Sequence, residues 1–187
     1  MKRQLPFLLT TLRLLLGPVA LLCAVTQTAR WVYFPILVIA TLSDIYDGVL
    51  ARKFGVATTA LRRYDSSTDV IFYLFILGVA WKLCRPVLSQ SWWAIALVIL
   101  SEIVLIAICF IRFGKYPAAH SYLAKFFGLC LLACLIALLV FDAGNWAVYT
   151  LAIVGVTTNI EIIVMHLIAT RAPVDVKSIF TLKKSEG

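Results

Sequence analysis

Four of the nine carboxylates in this chain fall within one stretch of 26 residues: Asp44, Asp47, Asp65 and Asp69. Their surroundings are mostly apolar, with 63% of all residues hydrophobic. A carboxylate at the end of a membrane-length helix is costly to desolvate, so four together point to a function. Their chemistry narrows it. Carboxylates offer hard oxygen donors, a set that suits Mg²⁺ or Mn²⁺ rather than softer metals. Arg52 lies close by in sequence, and a planar guanidinium matches phosphate oxygens two at a time. A divalent ion beside an arginine at a membrane face points to chemistry on a phosphate ester carried by a lipid.

The spacing indicates how these groups meet. Read as helix, Asp44, Asp47, Gly48 and Ala51 share a face about 100° wide, with Arg52 on its border. Asp65 and Asp69 are four apart and share a face of their own. The linker 53–64 lets the next span start where the previous one ended. Two antiparallel helices then turn two aspartate pairs toward one pocket, as a site for two ions about 3.5–4 Å apart requires. Gly48 and Ala51 carry almost no side chain, so a bulky group can approach the helix there. Asp residues solvated at the interface, or paired with Arg62 and Arg63, are the bland alternative.

The elements that position these residues are membrane spans. Mean hydropathy is +0.99 over 187 residues, far outside the soluble range. Six stretches approach the roughly 20 apolar residues a span needs: 8–26, 31–50, 69–83, 91–111, 122–141 and 146–169. The third is short and is expected to begin earlier, near Leu61. Short connections predict antiparallel neighbours. The fold class is all-α, a polytopic six-helix membrane bundle with a polar cavity facing the cytosol. Residues 1–187 form a single membrane domain, with 171–187 a basic cytosolic tail.

Orientation follows from the basic residues. With the N-terminus in the cytosol, that side holds Lys2, Arg3, Arg52, Lys53, Arg62, Arg63, Arg112, Lys115, Lys125, Arg171, Lys177, Lys183 and Lys184; the far side holds Arg30, Lys82 and Arg85. Trp31, Trp81, Trp92, Trp93 and Trp146 fall at far-side span ends, as an aromatic belt does. The expected location is an integral, multi-pass membrane protein with its site facing the cytoplasm, in the plasma or inner membrane if bacterial. The net charge of +8 fits this asymmetry and attraction to anionic lipid heads. No nucleic acid partner is implied, because the basic residues border spans. The five cysteines form no C-x-x-C pair and read as apolar packing residues. The basic start and apolar run resemble a signal peptide, but Leu21-Leu22-Cys23 lacks a small-residue cleavage site. The first span is expected to remain.

The motif resembles that of the CDP-alcohol phosphatidyltransferase family, D-x2-D-G-x2-A-R-x8-G-x3-D-x3-D. Asp44, Asp47, Gly48, Ala51, Arg52, Asp65 and Asp69 match it at seven of eight fixed positions. The family's second glycine is Leu61 here, which is expected to crowd the nucleotide pocket or shift the linker. Ser66, Val70 and Phe7 also stand where members often carry Pro, Lys and Asn, while Thr10 and Arg13 keep a familiar pattern. The resemblance implies transfer of a phosphatidyl group from CDP-diacylglycerol to a small hydroxylated acceptor, with release of CMP, in phospholipid biosynthesis. Asp44, Asp47, Asp65 and Asp69 would hold two ions, Mg²⁺ or Mn²⁺. Asp69 would also be the general base, and Gly48, Ala51 and Arg52 would line the CDP site. A homodimer is implied on the same ground. An aspartate-rich polyprenyl transferase is the nearest rival enzyme. An aspartate-based ion or proton carrier and a non-catalytic family member are the alternatives from other classes.

Acceptor residues are sought in the loop from Arg112 to Lys125, where Arg112, His120 and Lys125 could meet an anionic acceptor. Glycerol 3-phosphate is the first choice; inositol phosphate, phosphatidylglycerol and serine remain open. Arg13, one turn inside the first span, is expected either to snorkel to the cytosol or to reach donor phosphates. Glu161 is expected to hydrogen-bond Asn159 or a neighbouring helix, and His166 to pack.

Overall fold

The structure is a computed structural model that describes residues 4–56, 58–114 and 121–169. His120, Lys115 and the tail 171–187 lie outside the described residues. Every described element is helical: α1 (Leu5–Val25), a 3-10 turn (Arg30–Val32), α2 (Tyr33–Lys53), α3 (Thr59–Leu83), α4 (Arg85–Gln90), α5 (Trp92–Phe113), α6 (Tyr122–Leu139) and α7 (Asn145–Ile168). Six stretches of 18 to 24 residues are apolar enough to cross a membrane. They match the six read from sequence, and α3 starts early, as expected. The short α4 was not foreseen; it occupies what reads as a loop between the third and fourth spans.

Local signals explain several boundaries. Pro6 stands in the first turn of α1, where a missing N–H costs nothing. Thr58 caps α3, its hydroxyl accepting from the Leu61 N–H at 3.2 Å. Gly114 ends α5 with φ at 63° and donates to the Phe110 carbonyl at 2.9 Å.

The described chain forms two compact units, 1–88 with 135–143 and 89–134 with 144–187. In the first unit, α1 packs against both α2 and α3. Its buried residues are Pro6, Thr10, Arg13, Gly17, Ala20 and Ala24, spaced alternately by four and three, which is one stripe of a helix. Small residues on this stripe let backbones approach, which is how membrane helices gain packing energy without a hydrophobic drive. A methyl group on Gly17 would sit 2.8 Å from a ring carbon of Phe75 in α3. At the other end of the spans Arg30 acts as a clamp. Its guanidinium donates to the Leu83 carbonyl at 3.3 Å and pairs with Asp142 at 2.8 Å, so a cation meets the carbonyl end of α3.

In the second unit, Leu105 and Cys109 of α5 pack on Ile162 and Met165 of α7. Asn159 donates to the Ser101 hydroxyl at 2.9 Å. Glu161 therefore does not take Asn159 as its partner; its Oε2 is buried without a hydrogen bond among the described residues. His166 packs, as expected, donating from Nδ1 to the Ile162 carbonyl at 2.8 Å. All five cysteines are free.

The close approach of α1 and α3 makes a paired prediction. Gly17→Ala should lower stability by about 1–3 kcal/mol, because Phe75 must move to admit the methyl group. Gly78→Ala should melt like wild type, since its new methyl would meet Leu21 at an ordinary 3.5 Å. Thermal unfolding of both variants in detergent checks this; equal melting temperatures would contradict it.

Candidate active site

The two aspartate pairs do meet, but a third helix joins them. Arg13, from the packing stripe of α1, places its guanidinium among all four carboxylates. Nη1 pairs with Asp44 of α2 and with Asp69 of α3, the latter at 2.7 Å. Nη2 pairs with Asp65 of α3 and with Asp47 of α2, the latter at 3.3 Å. Arg13 does not extend its head group away from the helices: its side chain is 2% exposed, and its partners are the aspartates. Sequence reasoning missed this because a lone arginine in an apolar helix has no partner nearby in the chain.

Thr10, one turn before Arg13, completes the contact with Asp47. Its hydroxyl lies 3.0 Å from Asp47 Oδ2 and 3.0 Å from the Pro6 carbonyl. Asp47 is buried, whereas the Asp44 side chain is 48% exposed. The cluster is thus floored by α1 and open to solvent at Asp44. Ala51 is buried on the same face of α2 as Asp47. Gly48 is half-buried, and a methyl group there would lie 3.8 Å from Nη1 of Arg52, which is exposed.

Leu61 lies in the first turn of α3, its N–H held by Thr58. The site's other unforeseen residues are aromatic. Phe7 stacks on Tyr64 with ring centroids 5.0 Å apart, and the Tyr64 hydroxyl lies 3.0 Å from the Thr11 hydroxyl. The pair ties the start of α1 to the residue before Asp65. Of the candidate acceptor residues, Arg112 and Lys125 belong to the second unit. Arg112 donates to the Ala169 carbonyl at 3.2 Å, and the Lys125 ammonium lies 5.8 Å from the Tyr122 ring centroid. His120 lies outside the described residues.

The donor set fits a hard divalent cation. One carboxylate oxygen each from Asp44, Asp47 and Asp65 lie within 4.8 Å of one another. Four carboxylates facing one guanidinium leave three negative charges formally uncompensated. Each like-charged pair at about 4 Å repels by roughly 4 kcal/mol at the effective dielectric of a protein surface. Oxygen donors under such repulsion suit a hard divalent cation.

Comparison with known proteins agrees with this chemistry. The family model described as CDP-alcohol phosphatidyltransferase matches residues 3–159, and the chain belongs to that family. It is 30% identical over 127 residues to proteins named "Probable phosphatidylglycerophosphate synthase" from two strains of Mycobacterium tuberculosis. The match covers 64% of this chain and 59% of those relatives. No solved structure matches the chain.

Thr10→Val keeps the shape of the side chain and removes its hydroxyl. Asp47 then loses a hydrogen-bond donor in a buried setting, at a cost of about 1–3 kcal/mol. The variant's melting temperature in the absence of divalent ions should fall accordingly. Unchanged melting would mean that the Thr10–Asp47 contact carries no stability.

Proposed function

We propose that this chain transfers a phosphatidyl group from CDP-diacylglycerol to a small alcohol and releases CMP. The observation that carries the reading is the convergence of four carboxylates from α2 and α3 on one point, beside the open helix face at Gly48. In this reading Asp44, Asp47, Asp65 and Asp69 hold two Mg²⁺ or Mn²⁺ ions. When bound, the ions neutralise the donor's diphosphate and so stabilise charge that builds up during transfer. Gly48 lets the diphosphate lie against the helix, with Ala51 buried one turn on, and Arg52 pairs with its oxygens from above. The acceptor hydroxyl attacks the phosphorus that carries diacylglycerol. An oxygen–phosphorus bond forms, the bond to CMP breaks, and Asp69 takes the hydroxyl proton.

Glycerol 3-phosphate is the proposed acceptor. The name of the mycobacterial relatives supports it, as does the basic character of Arg112 and Lys125, with His120 in the same loop. Inositol phosphate, phosphatidylglycerol and serine are the other acceptors to be tested. The family model runs through both compact units, which supports reading 1–187 as one catalytic domain. The positive-inside asymmetry supports a cytoplasmic site, and a homodimer is part of the same reading. An ion or proton relay is disfavoured because relays distribute carboxylates along a span, whereas these gather in the C-terminal half of α2 and the N-terminal half of α3.

The test is CMP release from CDP-diacylglycerol by the purified chain, with Mg²⁺ or Mn²⁺ and a panel of acceptors. Release should depend on both the metal and glycerol 3-phosphate. Asp69→Asn should lose about 10²–10⁴-fold in rate, the usual worth of a positioned base. Gly48→Ala should fold normally, because its methyl has room, yet lose activity because the diphosphate meets it. Release with no acceptor dependence, or full activity in Asp69→Asn, would contradict the reading.

A further inference from the structure

We propose that the Arg13 guanidinium is the resident cation of the aspartate cluster, holding the carboxylates together until divalent ions displace it. The inference rests on the reading that the four aspartates bind metal. Its basis is the pattern of pairing. Nη1 bridges Asp44 to Asp69, and Nη2 bridges Asp47 to Asp65. Each terminal nitrogen therefore takes one carboxylate from α2 and one from α3. The guanidinium thus joins α2 to α3 through the same four carboxylates that would hold the ions.

The oxygens cannot be shared. The guanidinium engages Oδ1 of Asp44, Asp65 and Asp69 and Oδ2 of Asp47. A divalent ion needs such oxygens at about 2.0–2.1 Å for Mg²⁺, and two cations on the same oxygens repel strongly. Among the described residues, no other cation lies within ion-pair distance of these carboxylates.

A second observation is independent of the pairing. Arg13 Nε is buried and has no hydrogen-bond partner. Leaving a buried donor unsatisfied is unfavourable, so the guanidinium fits the cluster incompletely. It is held through its terminal nitrogens alone, and no bond to the backbone must break for it to withdraw. The exposed edge at Asp44 gives incoming ions a route to the positions it vacates.

The test titrates Mn²⁺ into the full chain in detergent, following free Mn²⁺ by electron paramagnetic resonance, alongside thermal melts in EDTA. Arg13→Gln and Arg13→Lys are compared with wild type. Both variants should bind Mn²⁺ about tenfold or more tightly, a difference well within what such titrations resolve. Both should melt lower than wild type in EDTA and regain the loss when Mn²⁺ saturates. The lysine variant separates displacement from simple charge. It keeps the positive charge, but one ammonium cannot pair with all four carboxylates as the guanidinium does, so its tightening must come from the contacts given up. Wild-type or weaker Mn²⁺ binding by Arg13→Lys overturns the proposal, as does an unchanged melting temperature in EDTA for Arg13→Gln. Mn²⁺ binding by wild type without tightening in Arg13→Lys defeats this inference alone. No Mn²⁺ binding by any of the three proteins defeats the metal reading with it.

Discussion

The Arg13 guanidinium touches two carboxylates from α2 and two from α3, and the arrangement of the first unit depends on that contact. Oxygens from Asp44, Asp47 and Asp65 lie within 4.8 Å of one another. A cation between them offsets the mutual repulsion that such closeness brings. The long apolar spans cannot oppose that directly, because side chains in lipid gain little by leaving it for one another. Positive charge built into the protein, or bound by it, stabilises the cluster. Arg13 is the built-in part, and the three charges it leaves uncompensated are the reason to expect more.

The same constraint explains why α1 looks as it does. One stripe carries Thr10 and Arg13 at the aspartate end and Gly17, Ala20 and Ala24 further along. The small residues bring α1 close to its neighbours, and this closeness lets an arginine on α1 reach carboxylates on two other helices. Packing and chemistry share a face, so a fault in one is felt by the other. The opposite end of the unit is clamped separately, by Arg30 against the Leu83 carbonyl and Asp142. α2 repeats the economy: Asp47 and Ala51 belong to its buried stripe, while Arg52 stands outside it and lies over Gly48.

Much of this was legible in the chain. The spans follow from hydropathy, and the pairing of Asp44 with Asp47 and of Asp65 with Asp69 follows from helical spacing, because both are local properties. The resemblance carried by Asp44 through Asp69 led to the family that the comparison then showed. What escaped was non-local. Arg13 meets partners 31 and 52 residues away, and Arg30 reaches Asp142, 112 residues on. No periodicity encodes such contacts; they exist only once the helices are placed. Phe7 reads as a departure from the family's Asn, and only its stacking on Tyr64 shows what it does. Asn159 likewise turns to Ser101 on α5 rather than to Glu161, its neighbour in sequence.

The central claim is that α2 and α3 form one hard-cation site around a residue of α1. Diffraction from crystals soaked in Mn²⁺, measured at the manganese absorption edge, tests it most directly. The account predicts anomalous density among Asp44, Asp47, Asp65 and Asp69. Density elsewhere on the chain, with none among these four carboxylates, would contradict it.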